Sequence, residues 1–533
     1  MTEPVVSSVP RRDAVPGETE QDLLFVGAGA STAYTLVSLL DALAELGPAS
    51  PVRICVLDGA PDAFSGLPYG DRAARSCLLI TSLHDFLPDE ERDRFSRWLS
   101  RNKHWVFDEF QESAGPLGAA WWQRHREAVG RDDFGRLFLP RYVFGEYLKD
   151  MTHQAIARAE AAGLAQVSVL RDQVETVRPS GGGYSVAGAA RVIWAHRVVL
   201  AVGSPPALPR LRAGAEAADA VLLDDPFADL PGALERISAR LAEAALRQTP
   251  PAQPVHIVVI GGNASAMDVL YQANDLTGPG VDASVVTVLS PRGELPARIE
   301  EHADAPGFRP EELQALSRSE AVRAAEVYSA AVRDIERGRE SGFTPAHTLG
   351  PVSQAVIGLL PRLSTEEMAE YAGRWGAQLG RHQRRAGAEY WEVVERLAAE
   401  GRFDLVAGSF TGLAVDPDGT TFVEYVGPSG PARLDRSADV VVNCAGPGGD
   451  LRVTAPGLLG QLFRANVCQV SHSGAGIAVG PGMHAADRLY VMGPLLSGNL
   501  VEGRPVWHME HCGRISSYGA ELGRRLASEL SEP

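Results

Sequence analysis

Short apolar runs of strand length, each stopped by glycine or proline, alternate along this chain with segments whose apolar residues recur at helical spacing. The first run, Leu23-Leu24-Phe25-Val26, enters the turn Gly27-Ala28-Gly29-Ala30-Ser31-Thr32 and then the amphipathic stretch Ala33–Leu46. A second run, Val52–Leu57, completes a strand–helix–strand unit. The same order returns about 235 residues later, as Val255–Ile260, the turn Gly261-Gly262-Asn263, a helical start through Asp268 and the run Ser284–Leu289. Between the two units the pattern predicts aromatic-rich helices at Phe95–Leu99 and Trp105–Arg126 and a helix opening near Pro140. A short antiparallel meander follows (Val167–Val177, Tyr184–Val186, Arg191–Trp194), then a buried strand His196–Gly203. Beyond the second unit come long helical stretches, Glu311–Glu340 and Ser364–Glu400. Strands are predicted at Phe403–Gly408, Thr421–Tyr425, Asp439–Asn443 and Arg488–Met492, and a last helix runs to about Leu530.

A buried strand, a glycine turn and a helix whose free N–H groups face that turn together form an anion site. The first glycine, Gly27, permits the turn, and the second, Gly29, lets a pyrophosphate approach the backbone; Thr32 stands at the third glycine position. Asp58, at the end of the next strand, is placed to accept from a ribose hydroxyl. A tight turn with no ligand would leave a similar trace, but strand, helix and downstream acid together favour a dinucleotide. Two such units on one chain predict an α/β protein with two Rossmann-like domains, an FAD domain into which an NADPH domain is inserted, plus small antiparallel meanders and helical insertions. The expected boundaries are a polar tail at 1–20, FAD domain at 21–212, NADPH domain with a helical insertion at 213–400, and the rest of the FAD domain at 401–533. In the second unit Gly261, Gly262, Asn263 and Ser265 are the cofactor candidates; Ser265 could equally serve as a cap. Arg292 lies where a guanidinium meets a 2′-phosphate, and no acid occupies that spot, which favours NADPH over NADH; a solvated surface arginine is the plainer alternative.

Composition narrows the partners. The formal net charge of -17 argues against nucleic acid and against an anionic membrane surface. Five cysteines are scattered without a C-x-x-C pair, which fits a reducing compartment and gives no metal site. No apolar run reaches the roughly 18 residues of a membrane span, and no signal pattern opens the chain, so a cytoplasmic protein is expected. Self-association into a homo-oligomer is left open.

Several stretches carry a resemblance. Val26-Gly27-Ala28-Gly29-Ala30-Ser31, Gly66-Leu67-Pro68-Tyr69-Gly70, Leu139-Pro140-Arg141, Gly261–Asp268, Ser290-Pro291-Arg292-Gly293, Asn443–Pro447 and Met492-Gly493-Pro494-Leu495 occur in order over most of the chain. It resembles the two-dinucleotide flavoproteins that include the flavin-dependent N-hydroxylating monooxygenases, and more closely the bacterial FAD/NAD(P)-binding protein group. The resemblance implies FAD contacts from Ser31, Thr32, Tyr69, Arg141, Gly203, Gly493 and Asn499 beside Gly27, Gly29 and Asp58. It also implies oxidation of the amine nitrogen of a small polar amino acid, with O2 activated as a C4a-hydroperoxyflavin. Aspartate is one such substrate, motivated by the basic cluster Arg381, Arg384 and Arg385, which a solvated helix face would explain as well. His84, His508 and His511 are the candidates for a catalytic base, each open to a structural explanation. An NADPH oxidoreductase without oxygen transfer, and a flavin-binding protein without catalysis, are the alternatives.

Overall fold

The computed structural model describes residues 19–205, 207–211, 218–247, 254–273, 276, 280–282, 284–299, 307–446 and 450–532. The expected tail at 1–20 lies outside these residues up to position 18, and Thr19 already opens the first strand. The chain divides into two compact units, one made of residues 1–66, 148–204 and 450–533, the other of 67–147 and 205–449.

The first unit is built on Thr19–Val26 (β1), Val52–Asp58 (β2), Ala165–Arg171 (β3), Val174–Ser180 (β4), Gly183–Gly188 (β5) and Val192–Leu200 (β6). β6, β1, β2 and β3 lie side by side and parallel, with Leu489–Val491 parallel to the far edge of β6. Leu23, Leu24 and Phe25 are fully buried, as a strand covered on both faces requires. The expected break between Arg191–Trp194 and His196–Gly203 does not exist. One strand makes an antiparallel ladder with β5 through Val192–Ala195 while pairing parallel to β1 along its length. Helix Ala30–Leu46 packs on the C-terminal helix Cys512–Ser531, and two glycines make the approach close: a Cβ at Gly523 would lie 2.5 Å from the Thr35 carbonyl, and one at Gly519 would lie 3.0 Å from Tyr34 Cβ. Four residues apart, they share one helix face.

The second unit holds a five-stranded parallel sheet. Its order is Phe403–Ala407, Val285–Ser290 (β9), His256–Ile260 (β8), Val440–Asn443 and Val221–Leu223 (β7). Every residue of β8 and β9 is buried. This corrects the expected boundary at 401: Phe403–Ala407 pairs with β9 at one edge of the second unit's sheet, and Val440–Asn443 pairs with both β8 and β7 inside it, because their free backbone N–H and C=O groups match those strands. A three-stranded antiparallel meander, Ser409–Val415, Thr421–Gly427 and Gly430–Arg433, belongs to the same unit. So do residues 67–147, with helices Asp89–Ser113 and Gly115–Gly130 and an aromatic cluster in which Phe95 lies 5.4 Å from Phe144 and 4.9 Å from Tyr147. The long helical stretch expected over 364–400 is divided. Thr365–Glu370, a π-turn at Tyr371–Trp375 and Gly376–His382 lead to a two-residue strand, Arg385–Ala386, paired to Ala297–Arg298, before helix Ala388–Ala399. Among the described residues no helix is long and apolar enough to cross a membrane, and no His/Cys/Asp/Glu group could hold a metal.

Candidate functional site

The carboxyl end of β1 carries the first turn. Gly27 takes φ +102°, and a Cβ there would lie 2.3 Å from the Ala201 carbonyl, so only glycine fits. Its N–H donates to the Leu57 carbonyl at 2.8 Å, and its own carbonyl accepts from Thr32 Oγ1 at 2.6 Å. Gly29 faces open space, with nothing nearer a Cβ than the Gly66 Cα at 3.6 Å. No side chain caps helix Ala30–Leu46, whose N-cap is that same glycine. With its leading N–H groups uncapped by side chains, the helix start is suited to an anion. Asp58 steadies the turn by accepting from the Ala28 N–H at 2.6 Å through Oδ2 and from the Ala60 N–H at 2.7 Å through Oδ1. Each carboxylate oxygen retains capacity for a ribose hydroxyl. Gly493, at φ +91°, approaches so near that a Cβ would lie 2.4 Å from Ser31 Oγ. Gly203, at φ +78°, is two residues past the Ala201 carbonyl that abuts Gly27. A bare glycine, an uncapped helix and an acid on the next strand fit the pyrophosphate and ribose of FAD.

The second turn repeats the backbone geometry of the first glycine. Gly261 takes φ +105°, a Cβ there would lie 2.5 Å from the Cys444 carbonyl, and its N–H donates to the Leu289 carbonyl at 2.8 Å. Cys444 thus answers to Ala201, and Gly446, at φ +88°, to Gly203. Two features depart from the first copy. Asn263 Oδ1 accepts from the N–H of Ser265 at 3.0 Å and of Ala266 at 3.4 Å, so this helix caps itself with the groups a phosphate would use. Gly262 is pressed against the loop after β9, where a Cβ would lie 2.4 Å from the Glu294 carbonyl. On that loop Arg292 is half exposed; its Nε donates to Glu294 at 2.8 Å and its Nη2 to the Arg381 carbonyl at 3.4 Å.

A buried polar network sits behind this turn. Arg141 Nη2 bridges both oxygens of Asp268, at 3.0 and 2.8 Å, and its Nε donates to the Leu78 carbonyl at 2.8 Å. Tyr390 Oη donates to Asp268 Oδ1 at 2.7 Å and lies 3.0 Å from the Leu78 carbonyl. Burial opposes the charge on Arg141, but Asp268 outweighs it and the guanidinium is held above its ordinary value. Burial, reinforced by Asp268, keeps the Tyr390 phenol protonated far above its ordinary range. Gln272, one turn past Asp268, accepts from Ser76 Oγ at 2.9 Å. Arg141, expected beside the flavin, is therefore engaged with the helix of the second nucleotide turn. Sequence reasoning did not find Tyr390, since a tyrosine 122 residues away in a helical stretch gives no local sign of a carboxylate partner.

The other expected residues fall as follows. Tyr69 stacks edge-on with Phe144 at 5.0 Å in the second unit. Asn499 is buried, and its amide is used by backbone: Nδ2 donates to Ile477 and Leu496 carbonyls at 2.8 and 2.9 Å, and Oδ1 accepts from the Val479 N–H at 3.0 Å. His511 Nδ1 caps the C-terminal helix by accepting from the Gly513 N–H at 3.2 Å. His84 is exposed and 3.4 Å from Arg92, and His508 is exposed beside Glu510 at 3.4 Å. Arg384 and Arg381 are exposed, and Arg385 is half-buried in the short strand paired to Ala297–Arg298, where burial lowers its pKa.

Residues 24–205 match a family model described as FAD-NAD(P)-binding. An uncharacterised protein of Mycobacterium tuberculosis is 28% identical over 517 residues, spanning 96% of this chain and 96% of that protein. By fold the chain is similar to the FAD-bound cadaverine monooxygenase of desferrioxamine biosynthesis from Erwinia amylovora, with a TM-score of 0.54, 12% identity and 97% and 96% of the two chains covered. It is also similar to the reduced form of ornithine hydroxylase from Pseudomonas aeruginosa, with a TM-score of 0.53, 14% identity and 96% and 100% covered. At these identities the likeness is one of fold. Residues 24–205 are thus similar to an FAD-NAD(P)-binding family, and the fold of the chain is similar to that of these two monooxygenases.

Proposed function

We propose that this protein is an FAD- and NADPH-dependent monooxygenase that oxidises the nitrogen of a small amine, an amino acid being the first class to test. One observation carries the reading: the Gly27 and Gly261 turns have nearly the same φ, each abuts a backbone carbonyl and each makes the same strand-to-strand hydrogen bond, which supports two dinucleotide cradles on one chain. FAD, when bound, accepts a hydride from a nicotinamide and passes electrons to O2. The chain's own residues bind and orient. Gly27 and Gly29 leave room for the pyrophosphate, the uncapped helix offers N–H donors, and Asp58 fixes the ribose end. Arg292 supports the choice of NADPH by offering a guanidinium at the edge of the second cradle. The two similar solved folds are a cadaverine monooxygenase and an ornithine hydroxylase, and their amine substrates support a small amine as the class to test.

The test is anaerobic reduction by NADPH, then air, with and without a panel of amines and amino acids including aspartate. Rapid bleaching of the flavin and a hydroxylamine, nitroso or nitro product are expected. NADPH consumption at background with no nitrogen oxide formed removes the oxygenase reading. A second reading, a flavin-binding protein without nucleotide turnover, is favoured by the self-capping of Asn263. Failure of NADPH to bleach the flavin selects it.

A further inference from the structure

A chain of contacts leads outward from the second nucleotide turn, through Arg292, to His382. Gly262 abuts the Glu294 backbone, and that loop is pinned by Ser290, whose Oγ lies 3.0 Å from the Glu294 N–H and 3.1 Å from its carbonyl. Arg292 leans from this loop onto the Arg381 carbonyl, at the end of the helix whose last residue is His382. The His382 ring is 6.3 Å from that of Tyr328, which packs at a tilt, 5.0 Å away, against Trp375, the last residue of the π-turn. A π-turn inserted in a helix re-aims its side chains and is common at binding sites.

We propose that His382 and Arg292 together form the subsite for the adenosine 2′-phosphate of NADP(H), with Glu294 holding Arg292 in place until the phosphate arrives. This deepens the proposed function and rests on its nicotinamide reading of the second cradle. Arg292 has a carboxylate partner now, at 2.8 Å, and the more exposed Arg339 approaches the same Glu294 at 3.9 Å. A phosphate dianion competes for such a guanidinium because its oxygens accept bidentate hydrogen bonds. The charged groups that act on His382 are Arg292 and Glu294 on the loop after β9 and Glu336 on helix Ala324–Glu340. Burial and Arg292 hold the free imidazole neutral, below its ordinary range. A phosphate dianion alongside reverses that balance, so the imidazole takes a proton from solvent as NADP+ binds and donates it as a hydrogen bond. NAD+, with a 2′-hydroxyl, gives it no reason to do so.

The experiment is calorimetric titration of the FAD-loaded full chain with NADP+ and with NAD+ at pH 7.5, in two buffers of different ionisation enthalpy. NADP+ is expected to take up protons and NAD+ not to. His382→Gln should abolish the uptake and weaken NADP+ roughly tenfold while changing NAD+ by less than about twofold, which also reports that the variant is folded. His382→Lys should restore NADP+ affinity without proton uptake. Uptake that survives His382→Gln, or equal losses for both nucleotides, overturns the subsite. If the unmutated protein binds neither nucleotide, the nicotinamide reading itself falls, and this inference falls with it.

Discussion

Removing Asp268 should be among the most damaging single changes in the second unit. Asp268 is 3% exposed and accepts from Arg141 and Tyr390, while Arg141 also donates to the Leu78 carbonyl. Asp268→Ala leaves a buried guanidinium without its counter-charge, a loss of about 3–5 kcal/mol. Tyr390→Phe removes one hydrogen bond and should cost about 1–2 kcal/mol. The second unit comprises residues 67–147 and 205–449. At about 2.1 cal/mol/K per residue, roughly 330 residues lose about 1.5 °C per kcal/mol, so Asp268→Ala should melt about 4–7 °C lower. The double replacement Arg141→Met with Asp268→Leu removes both charges and should recover most of that loss, because an apolar pair has no desolvation debt. Differential scanning calorimetry, with flavin absorbance followed in parallel, reads the result. An Asp268→Ala loss under about 1 kcal/mol would show the pair to behave as a surface salt bridge. A variant that sheds FAD with unchanged melting would instead support the expected contact of Arg141 with the flavin.

Three further outcomes follow from single positions. Gly27→Ala forces a Cβ to within 2.3 Å of the Ala201 carbonyl at φ +102°, so the first unit should lose at least about 1–3 kcal/mol and purify with little flavin; a normal visible-to-ultraviolet absorbance ratio contradicts this. Asn263→Gly frees the two N–H groups its side chain occupies, so NADP+ should bind up to about fivefold tighter; unchanged or weaker NADP+ binding refutes a competing cap. Asp22 is opposed by burial, but hydrogen bonds and charge from Arg53 more than compensate and hold its carboxyl below the ordinary range. Its stabilisation is therefore complete above the unfolded pKa near ~3.9 and lost as pH falls through the lower folded value. Asp22→Asn should melt lower than the parent at pH 7, and the gap should close below about pH 4.

Both strand–glycine–helix turns were legible in sequence because each packs its signal into ten residues: a run of buried apolar positions, glycine at the forced φ, then a helix. The strands that complete the second sheet were not assigned correctly, since Phe403–Ala407 and Val440–Asn443 carry apolar pattern but no mark of which sheet they join. The division of the helical stretch at 364–400 has a similar cause. Helical period continues through Arg381 and His382, and only the pairing of Arg385–Ala386 with Ala297–Arg298, 88 residues away, interrupts it. Asn499 shows the opposite limit: a polar residue at a promising turn proves to be a buried amide satisfied entirely by nearby carbonyls and one N–H. Local sequence could not separate these cases, since both demand a polar side chain beside glycine.

The difference between the two turns bears on how the cofactors divide their work. A helix start with no side-chain cap leaves backbone donors dependent on water or on a bound anion. The Gly29 turn is of this kind, and a ligand at free concentration c that binds only the folded state stabilises it by RT ln(1 + c/Kd), the more so the tighter it binds. A cofactor retained through every turnover suits such a site. At the second turn Asn263 supplies an interim acceptor, so the helix is complete without a nucleotide. Displacing that cap costs about 1 kcal/mol, which is taken from the affinity of whatever binds and shortens its stay. On the proposed function the nicotinamide must arrive and leave while the flavin remains, and a cradle stable when empty is the one that can release its guest. The charges follow the same logic, with Glu294 standing in at Arg292 as Asn263 does at the helix end.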